Sequence, residues 1–129
     1  MLIVDASVLA PIIADAGSDG RRFRERLRDE TVAGPDLLRI EVTSVLRRHA
    51  NAGHLTPAQA DAAISDLLDF PIRVFPTAHL LRRVWELRRN MTAYDGCYIA
   101  LAEAVDSPLV TADRRLANSP GLRCEVEVL

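Results

Sequence analysis

Short apolar stretches alternate along the chain with longer segments in which apolar residues recur every three or four positions. The first stretch, LIV at residues 2–4, is followed by ASVLAPIIADA, whose apolar residues have helical spacing. Further strand-like stretches are TVAGP, IRVF, PLVT and CEVEV, and each follows a segment with a helical pattern. This alternation predicts an α/β fold of three layers, α/β/α, with a mostly parallel central sheet of four to five short strands.

Helix boundaries can also be read from the sequence. Asp36 is placed to cap a long helix that ends at Gly53, and Thr56 is placed to cap a helix with Pro57 in its first turn. We further expect a charged helix over residues 19–30 and another helix over residues 77–90. Because the chain shows no repeat and no linker-like segment, we expect residues 1–129 to form a single domain.

The composition limits the chemistry that the chain can perform. Its formal net charge of −2 argues against nucleic-acid binding by bulk charge alone, without excluding a local basic surface. All 16 basic residues are arginine, so Schiff-base chemistry and a P-loop lysine are excluded. Arginine side chains remain available as bidentate phosphate ligands.

Three features predict a cytoplasmic protein without a membrane segment. No apolar run approaches the roughly 20 residues that a membrane-spanning helix requires. No basic region precedes the apolar start of the chain, so no signal peptide is expected. Cys97 and Cys124 have neither CxxC nor metal-ligand spacing, which suits a reducing compartment.

Two acidic residues stand at the carboxyl ends of predicted core strands. Asp5 follows LIV with a hydroxyl two residues later at Ser7, and Asp113 follows PLVT, whose last residue is Thr111. Taken singly, each acid is explained as the N-cap of the helix that begins after it. In an open parallel sheet, however, binding sites form outside the carboxyl ends of the strands, which is where both acids are expected.

Two further acids are predicted on apolar helix faces. Glu41 lies within the apolar stripe of LLRIEVTSVLRR, and Asp95 shares a face with the apolar residues of AYDGCYIALAEA. Glu41 has an alternative explanation as the ion-pair partner of Arg39 or Arg48. Asp95 has one in a capping box with Thr92.

The four acids together favour a metal site. A βα topology brings Asp5, Glu41, Asp95 and Asp113 toward one edge of the sheet, where their like charges raise one another's pKa unless cations are bound. A carboxylate set without histidine or cysteine selects hard cations, Mg²⁺ or Mn²⁺, over zinc. Ser7 and Thr111 are placed to orient these ligands by hydrogen bonds.

Four stretches resemble the PIN-domain family and, within it, the VapC-type toxins of bacterial toxin–antitoxin pairs. They are LIVDASVLA, LLRIEVTSVLRR, TAYDGCYIALAEA and LVTADRRLA, in the family's order and spanning essentially the whole chain. The resemblance implies a metal-dependent endoribonuclease whose catalytic and metal-binding acids are Asp5, Glu41, Asp95 and Asp113. It also implies supporting hydroxyls at Ser7, Thr92 and Thr111, a homodimer, an RNA substrate and inhibition by a cognate antitoxin.

Substrate contacts and rival functions remain open at the level of sequence. Arg114 and Arg115 adjoin Asp113 and are candidates for binding phosphates, although an exposed, solvated pair is the simpler explanation. The main rival function is a non-catalytic protein-binding module whose acidic pocket receives an arginine from a partner. A phosphoacceptor receiver domain requires a lysine that is missing, and a serine hydrolase would need a GxSxG motif.

Overall fold

A five-stranded sheet forms the centre of the computed structural model, which describes all of residues 1–129. The strands are β1 (Leu2–Val4), β2 (Val32–Pro35), β3 (Arg73–Phe75), β4 (Leu109–Thr111) and β5 (Val126–Val128). They lie in the order β3-β2-β1-β4-β5, and every neighbouring pair is parallel. The predicted α/β fold is confirmed, and the sheet is parallel throughout.

Seven helices flank the sheet. They are α1 (Ala6–Ala14), α2 (Ser18–Arg26), α3 (Leu37–Asn51), α4 (Pro57–Asp69), α5 (Leu81–Glu86), α6 (Ala93–Ala104) and α7 (Arg114–Ala117). Helices α1, α3 and α4 pack against one another, whereas α6 packs against β1, β2 and β4 and carries α5 beside it. None of the helices combines the length and the apolar character needed to cross a lipid bilayer.

The helix starts show where capping signals succeed and where they fail. The Thr56 hydroxyl accepts from the Gln59 N–H at 3.1 Å, and Gln59 Oε1 accepts from the Thr56 N–H at 2.9 Å, which completes a capping box. Asp36 stands at the N-cap position of α3, as predicted, but its side chain makes no capping hydrogen bond. Its backbone is already helical, at φ −52° and ψ −34°, whereas an N-cap side chain acts from extended backbone.

Two predicted helices are shorter than expected. The helix predicted over residues 77–90 is a 3₁₀ turn, Ala78–Leu80, followed by α5, which ends at Glu86. The Leu87 N–H there is shared between the carbonyls of Arg83 and Val84, a tightened last turn typical of a helix end. The charged helix predicted to residue 30 ends at Arg26, and the chain then turns through Asp29 at φ +64°.

The centre of the sheet sets the position of the candidate site. β1 and β4 are fully buried neighbours in parallel register, with Ile3 beside Leu109 and Val4 beside Val110. From β1 the chain crosses to β2 on one side, while β4 lies on the other. The carboxyl ends of β1 and β4 therefore flank the topological switch point, where ligands bind in open α/β sheets.

Candidate active site

Asp5 directly follows β1 and is the most deeply buried of the four predicted acids, with 8% of its surface exposed. Its Oδ1 accepts hydrogen bonds from the Ser7 N–H at 3.0 Å and from the Ser7 hydroxyl, and its Oδ2 accepts from the Thr111 hydroxyl. Asp5 therefore caps α1 and also reaches across to β4. Asp5 is therefore both the N-cap of α1 and a residue of the candidate site.

The two hydroxyls that contact Asp5 are oriented by the loop between β4 and α7. The Ala112 N–H donates to Ser7 Oγ at 2.8 Å, and the Asp113 N–H donates to Thr111 Oγ1 at 3.0 Å. The two hydroxyl oxygens lie 3.3 Å apart, a longer contact than either makes with Asp5. Each hydroxyl has one proton and an oxygen that already accepts a backbone bond, so its proton is directed to the carboxylate.

Glu41 projects from α3 and is bonded to a tyrosine. Its Oε1 accepts a hydrogen bond from the Tyr98 hydroxyl of α6 at 2.8 Å. Arg39 donates instead to a backbone carbonyl and Arg48 to a serine hydroxyl. The ion pair with either arginine that would have explained Glu41 does not form, and that alternative is wrong.

Asp95 lies in the first turn of α6. The Thr92 hydroxyl accepts a hydrogen bond from the Asp95 N–H at 3.2 Å, so Thr92 caps the helix as predicted. The return bond to the Thr92 backbone, which would complete a capping box, is not formed. The half-buried Asp95 carboxylate is thus left for the pocket that it lines.

Asp113 caps α7 and contacts an arginine. Its Oδ1 accepts from the Arg115 N–H at 2.9 Å and from the Leu116 N–H at 3.4 Å. Its Oδ2 lies 3.3 Å from the Arg115 guanidinium, whose side chain is 85% exposed. Asp113 is the one acid of the four that has a cationic partner within the protein.

All four acids line one pocket of about 440 Å³ at the carboxyl edge of the sheet. Burial is the main cause that raises the pKa of three of them, Asp5, Glu41 and Asp95. The charges of Asp95 and Asp5 raise the pKa of Glu41 further, and that of Asp113 raises the pKa of Asp95. The pocket therefore holds negative charge that the protein itself compensates only in part.

The donor set of this pocket suits a hard divalent cation. Its acids offer only carboxylate oxygens, and neither histidine nor cysteine lines it. No group of three or more His, Cys, Asp or Glu side chains stands in position to hold one ion. The four carboxylates thus surround the pocket without converging on one point, and their assignment as metal ligands stays a prediction.

Residues 2–122 match the PIN domain family. This chain belongs to that family. The resemblance predicted from the four acid-bearing motifs is therefore confirmed, and the match extends over essentially the whole chain.

Relatives and solved structures support the same assignment. Ribonuclease VapC1 of Mycobacterium tuberculosis is 37% identical over 128 residues, which cover 98% of this chain and 96% of that protein. The crystal structure of PAE2754 from Pyrobaculum aerophilum superposes with a TM-score of 0.70 at 25% identity, covering 98% of this chain and 83% of the other. A toxin–antitoxin complex from Klebsiella pneumoniae has a chain with the same fold, at a TM-score of 0.63, 17% identity and 93% coverage of each chain.

Three polar residues of the PIN-domain pocket were not among the predicted site residues. Tyr98, Ser44 and Arg48 line it beside the acids. A signal for each is present in the sequence, because Tyr98 follows Asp95 by three positions and the other two follow Glu41 by three and seven. These spacings place side chains on the same helix face.

The predicted phosphate ligands, Arg114 and Arg115, lie at the margin of this site. Both are exposed, and neither lines the pocket. Arg115 is near enough for its charge to lower the pKa of Asp95, whereas the Arg114 side chain makes no hydrogen bond or ion pair. A role for either in binding phosphate stays a prediction.

Proposed function

We propose that this PIN-domain protein is an endoribonuclease toxin that hydrolyses RNA phosphodiester bonds with Mg²⁺ or Mn²⁺ and is inhibited by a cognate antitoxin. The observation that carries the proposal is the pocket lined by Asp5, Glu41, Asp95 and Asp113. It occurs in a chain that is 37% identical, over nearly its full length, to a protein named a ribonuclease. Residues 1–129 act in this proposal as one domain.

The proposed ligands differ in how firmly the protein holds them. Asp5 and Asp95 are the essential ligands of the proposal, and Asp5 is fixed by the hydroxyls of Ser7 and Thr111. Glu41 adds a third carboxylate. Asp113 is partly neutralised by Arg115, so it acts on a second ion or through water.

The chemistry follows from the charge of the pocket. A bound divalent ion would supply Lewis acidity, which activates water for attack and offsets the negative charge that develops on the phosphate. Of the three carboxylates whose pKa is raised, Asp5 is buried and accepts hydrogen bonds on both oxygens, so the half-buried Glu41 and Asp95 are the groups proposed to accept the proton released by that water.

Arginines are the proposed substrate contacts. Arg48 lines the pocket itself, and Arg114 and Arg115 stand beside Asp113. A guanidinium binds phosphate in a bidentate manner, which would hold the RNA backbone across the acids. RNA as substrate places the proposed activity in the cytoplasm, in keeping with the two unpaired cysteines, Cys97 and Cys124.

The proposed partners are an antitoxin and a second copy of the chain. The toxin–antitoxin complex with the same fold supports the first. The homodimer rests on the family resemblance, and Leu81 and Trp85 are large apolar residues that remain exposed in the isolated chain. Light scattering of the purified protein measures the oligomeric state directly.

A cleavage assay tests the proposed activity. Wild-type protein, Asp5→Ala and a control, Asp61→Ala, are incubated with a structured RNA pool in Mn²⁺ or in EDTA. Asp61 is an exposed acid of α4 outside the pocket. We expect Mn²⁺-dependent cutting by the wild type and the control and none by Asp5→Ala.

Two other results would contradict the proposal. Equal cutting by wild type and Asp5→Ala would point to a contaminating nuclease. Absence of cutting under every condition, together with metal-independent binding of a partner protein, would favour the rival function of an acidic pocket that receives a partner's arginine.

A further inference from the structure

The Tyr98 hydroxyl is a buried polar group whose only hydrogen-bond partner is Glu41. The tyrosine is 1% exposed and belongs to the hydrophobic core, yet its hydroxyl reaches the acid pocket. There it donates to Glu41 Oε1 at 2.8 Å. The bond joins α6, which carries Asp95, to α3, which carries Glu41.

Packing alone does not require this hydroxyl. A phenylalanine ring would fill nearly the same space, and burying a hydroxyl is unfavourable unless it is hydrogen-bonded. The Tyr98 hydroxyl therefore acts on the side chain that accepts its hydrogen bond, Glu41. The Glu41 side chain has three rotatable bonds and no other hydrogen bond in the protein.

The arrangement also suits a carboxylate that binds a further group. Tyr98 occupies one oxygen, Oε1, and leaves Oε2 without a protein partner. A neutral donor such as the Tyr98 hydroxyl fixes the carboxylate and leaves its negative charge in place, whereas an arginine would cancel that charge. Such hydrogen bonds to the carboxylates that bind a metal typically contribute 10–100-fold to metal affinity.

We propose that Tyr98 is a positioning residue that fixes the Glu41 carboxylate for binding a divalent cation in the acid pocket. The inference rests on the metal site of the proposed function and adds to it a residue outside the four acids. Tyr98 itself does not contact the ion. It acts through Glu41.

Mn²⁺ affinity of the metal-free full-length protein tests this role. Isothermal titration calorimetry compares wild type with Tyr98→Phe and with Tyr94→Phe, the same chemical change at an exposed residue of the same helix whose hydroxyl makes no bond. We expect about tenfold weaker Mn²⁺ binding for Tyr98→Phe and unchanged binding for Tyr94→Phe. Thermal unfolding in EDTA shows whether Tyr98→Phe is folded like the wild type.

A double-mutant cycle separates positioning from a general effect on the fold. If Tyr98 acts through Glu41, Tyr98→Phe causes no further loss of Mn²⁺ affinity in a Glu41→Gln background. Equal affinity of Tyr98→Phe and wild type would overturn the inference, as would an undiminished further loss in the Glu41→Gln background.

The titration also distinguishes this inference from the ribonuclease proposal. Mn²⁺ binding that depends on Tyr98, in a protein that cuts no RNA, would support the inference and overturn the proposed ribonuclease. Failure of the wild type to bind Mn²⁺ would overturn the inference and the metal dependence together. Cleavage and Mn²⁺ binding that are both unaffected by Tyr98→Phe would overturn the inference alone.

Discussion

The Thr111 hydroxyl, at the end of β4, donates a hydrogen bond to the Asp5 carboxylate, directly after β1. The two residues are 106 positions apart in the chain, yet their strands are neighbours in parallel register. Thr111 is fully buried, and its oxygen in turn accepts from the Asp113 N–H. One side chain thus links two of the four acids.

Thr111→Val tests this link. Valine preserves the shape of the side chain but leaves Asp5 Oδ2 without a donor and the Asp113 N–H without an acceptor. We expect Mn²⁺-dependent RNA cleavage to fall about 10–100-fold, because the carboxylate loses its fixed orientation. Thr111→Ser, which restores the hydroxyl and removes the methyl group, should recover most of the rate. Equal losses in single-turnover cleavage for the two variants would show that packing, rather than the hydroxyl, matters.

The position of Asp5 could be predicted from the sequence, whereas the partner of Glu41 could not. Asp5 directly follows β1 and Asp113 stands two positions after β4. Parallel strands present their carboxyl ends at one edge, so local pattern sufficed. Glu41 and Tyr98 are 57 positions apart. Their contact depends on how α3 and α6 are placed, which apolar periodicity does not specify. The same periodicity did predict that Glu41 faces inward.

The Asp36 side chain does not cap α3 for a comparable physical reason. A favourable residue type at the right position predicted an N-cap, but the Asp36 N–H bonds to the Phe75 carbonyl of the edge strand β3 at 3.3 Å. Its backbone is already helical there, so its side chain does not cap the helix. Tertiary contacts of this kind override local capping signals, and the local sequence pattern does not predict them.

Neutralising an acid of the pocket should stabilise the metal-free protein. Folding raises the pKa of Glu41 and Asp95 above their ordinary values of 4.5 and 3.8, so the folded state binds more protons than the unfolded chain in the window above those values. Stability therefore falls as pH rises above those ordinary values. In EDTA at pH 7, Glu41→Gln should melt a few degrees higher than wild type.

Calorimetry over a pH series tests the predicted direction of this change in melting temperature. The gain of Glu41→Gln should shrink as the pH falls toward 4, where the wild-type carboxyl is itself protonated. Glu25→Gln is the matched control, since Glu25 forms only an exposed ion pair with Arg28. A Glu41→Gln variant that melts below wild type at pH 7 would contradict the expectation.

Arg48 should contribute to RNA binding more than its neighbour in sequence. It lines the pocket two helical turns after Glu41, whereas the exposed Arg47 does not line it. We expect Arg48→Ala to lower kcat/KM for RNA about tenfold, with Mn²⁺ affinity unchanged, and Arg47→Ala to have little effect. The slope of log affinity against log salt concentration should become less steep by roughly 0.7, because one phosphate contact to single-stranded RNA is lost. Equal losses in both variants would indicate a general charge effect.

The ion pair between Arg83 and Glu103 should stabilise the fold without affecting the site. The Arg83 Nε–Glu103 Oε2 distance is 2.7 Å, and the two side chains are 17% and 12% exposed. Arg83 holds the pKa of Glu103 below its usual value, so this contribution is present at neutral pH and is lost as pH falls through the lowered pKa. Glu103→Ala should lower the free energy of unfolding by about 2 kcal/mol in urea titrations, because Arg83 keeps only its exposed acidic partner Glu86 and the Arg123 N–H loses its acceptor. Glu25→Ala, which breaks an exposed pair, should cost below about 1 kcal/mol. Mn²⁺ affinity should be unchanged in both variants, and a loss of affinity in Glu103→Ala would show that this pair also supports the acid pocket.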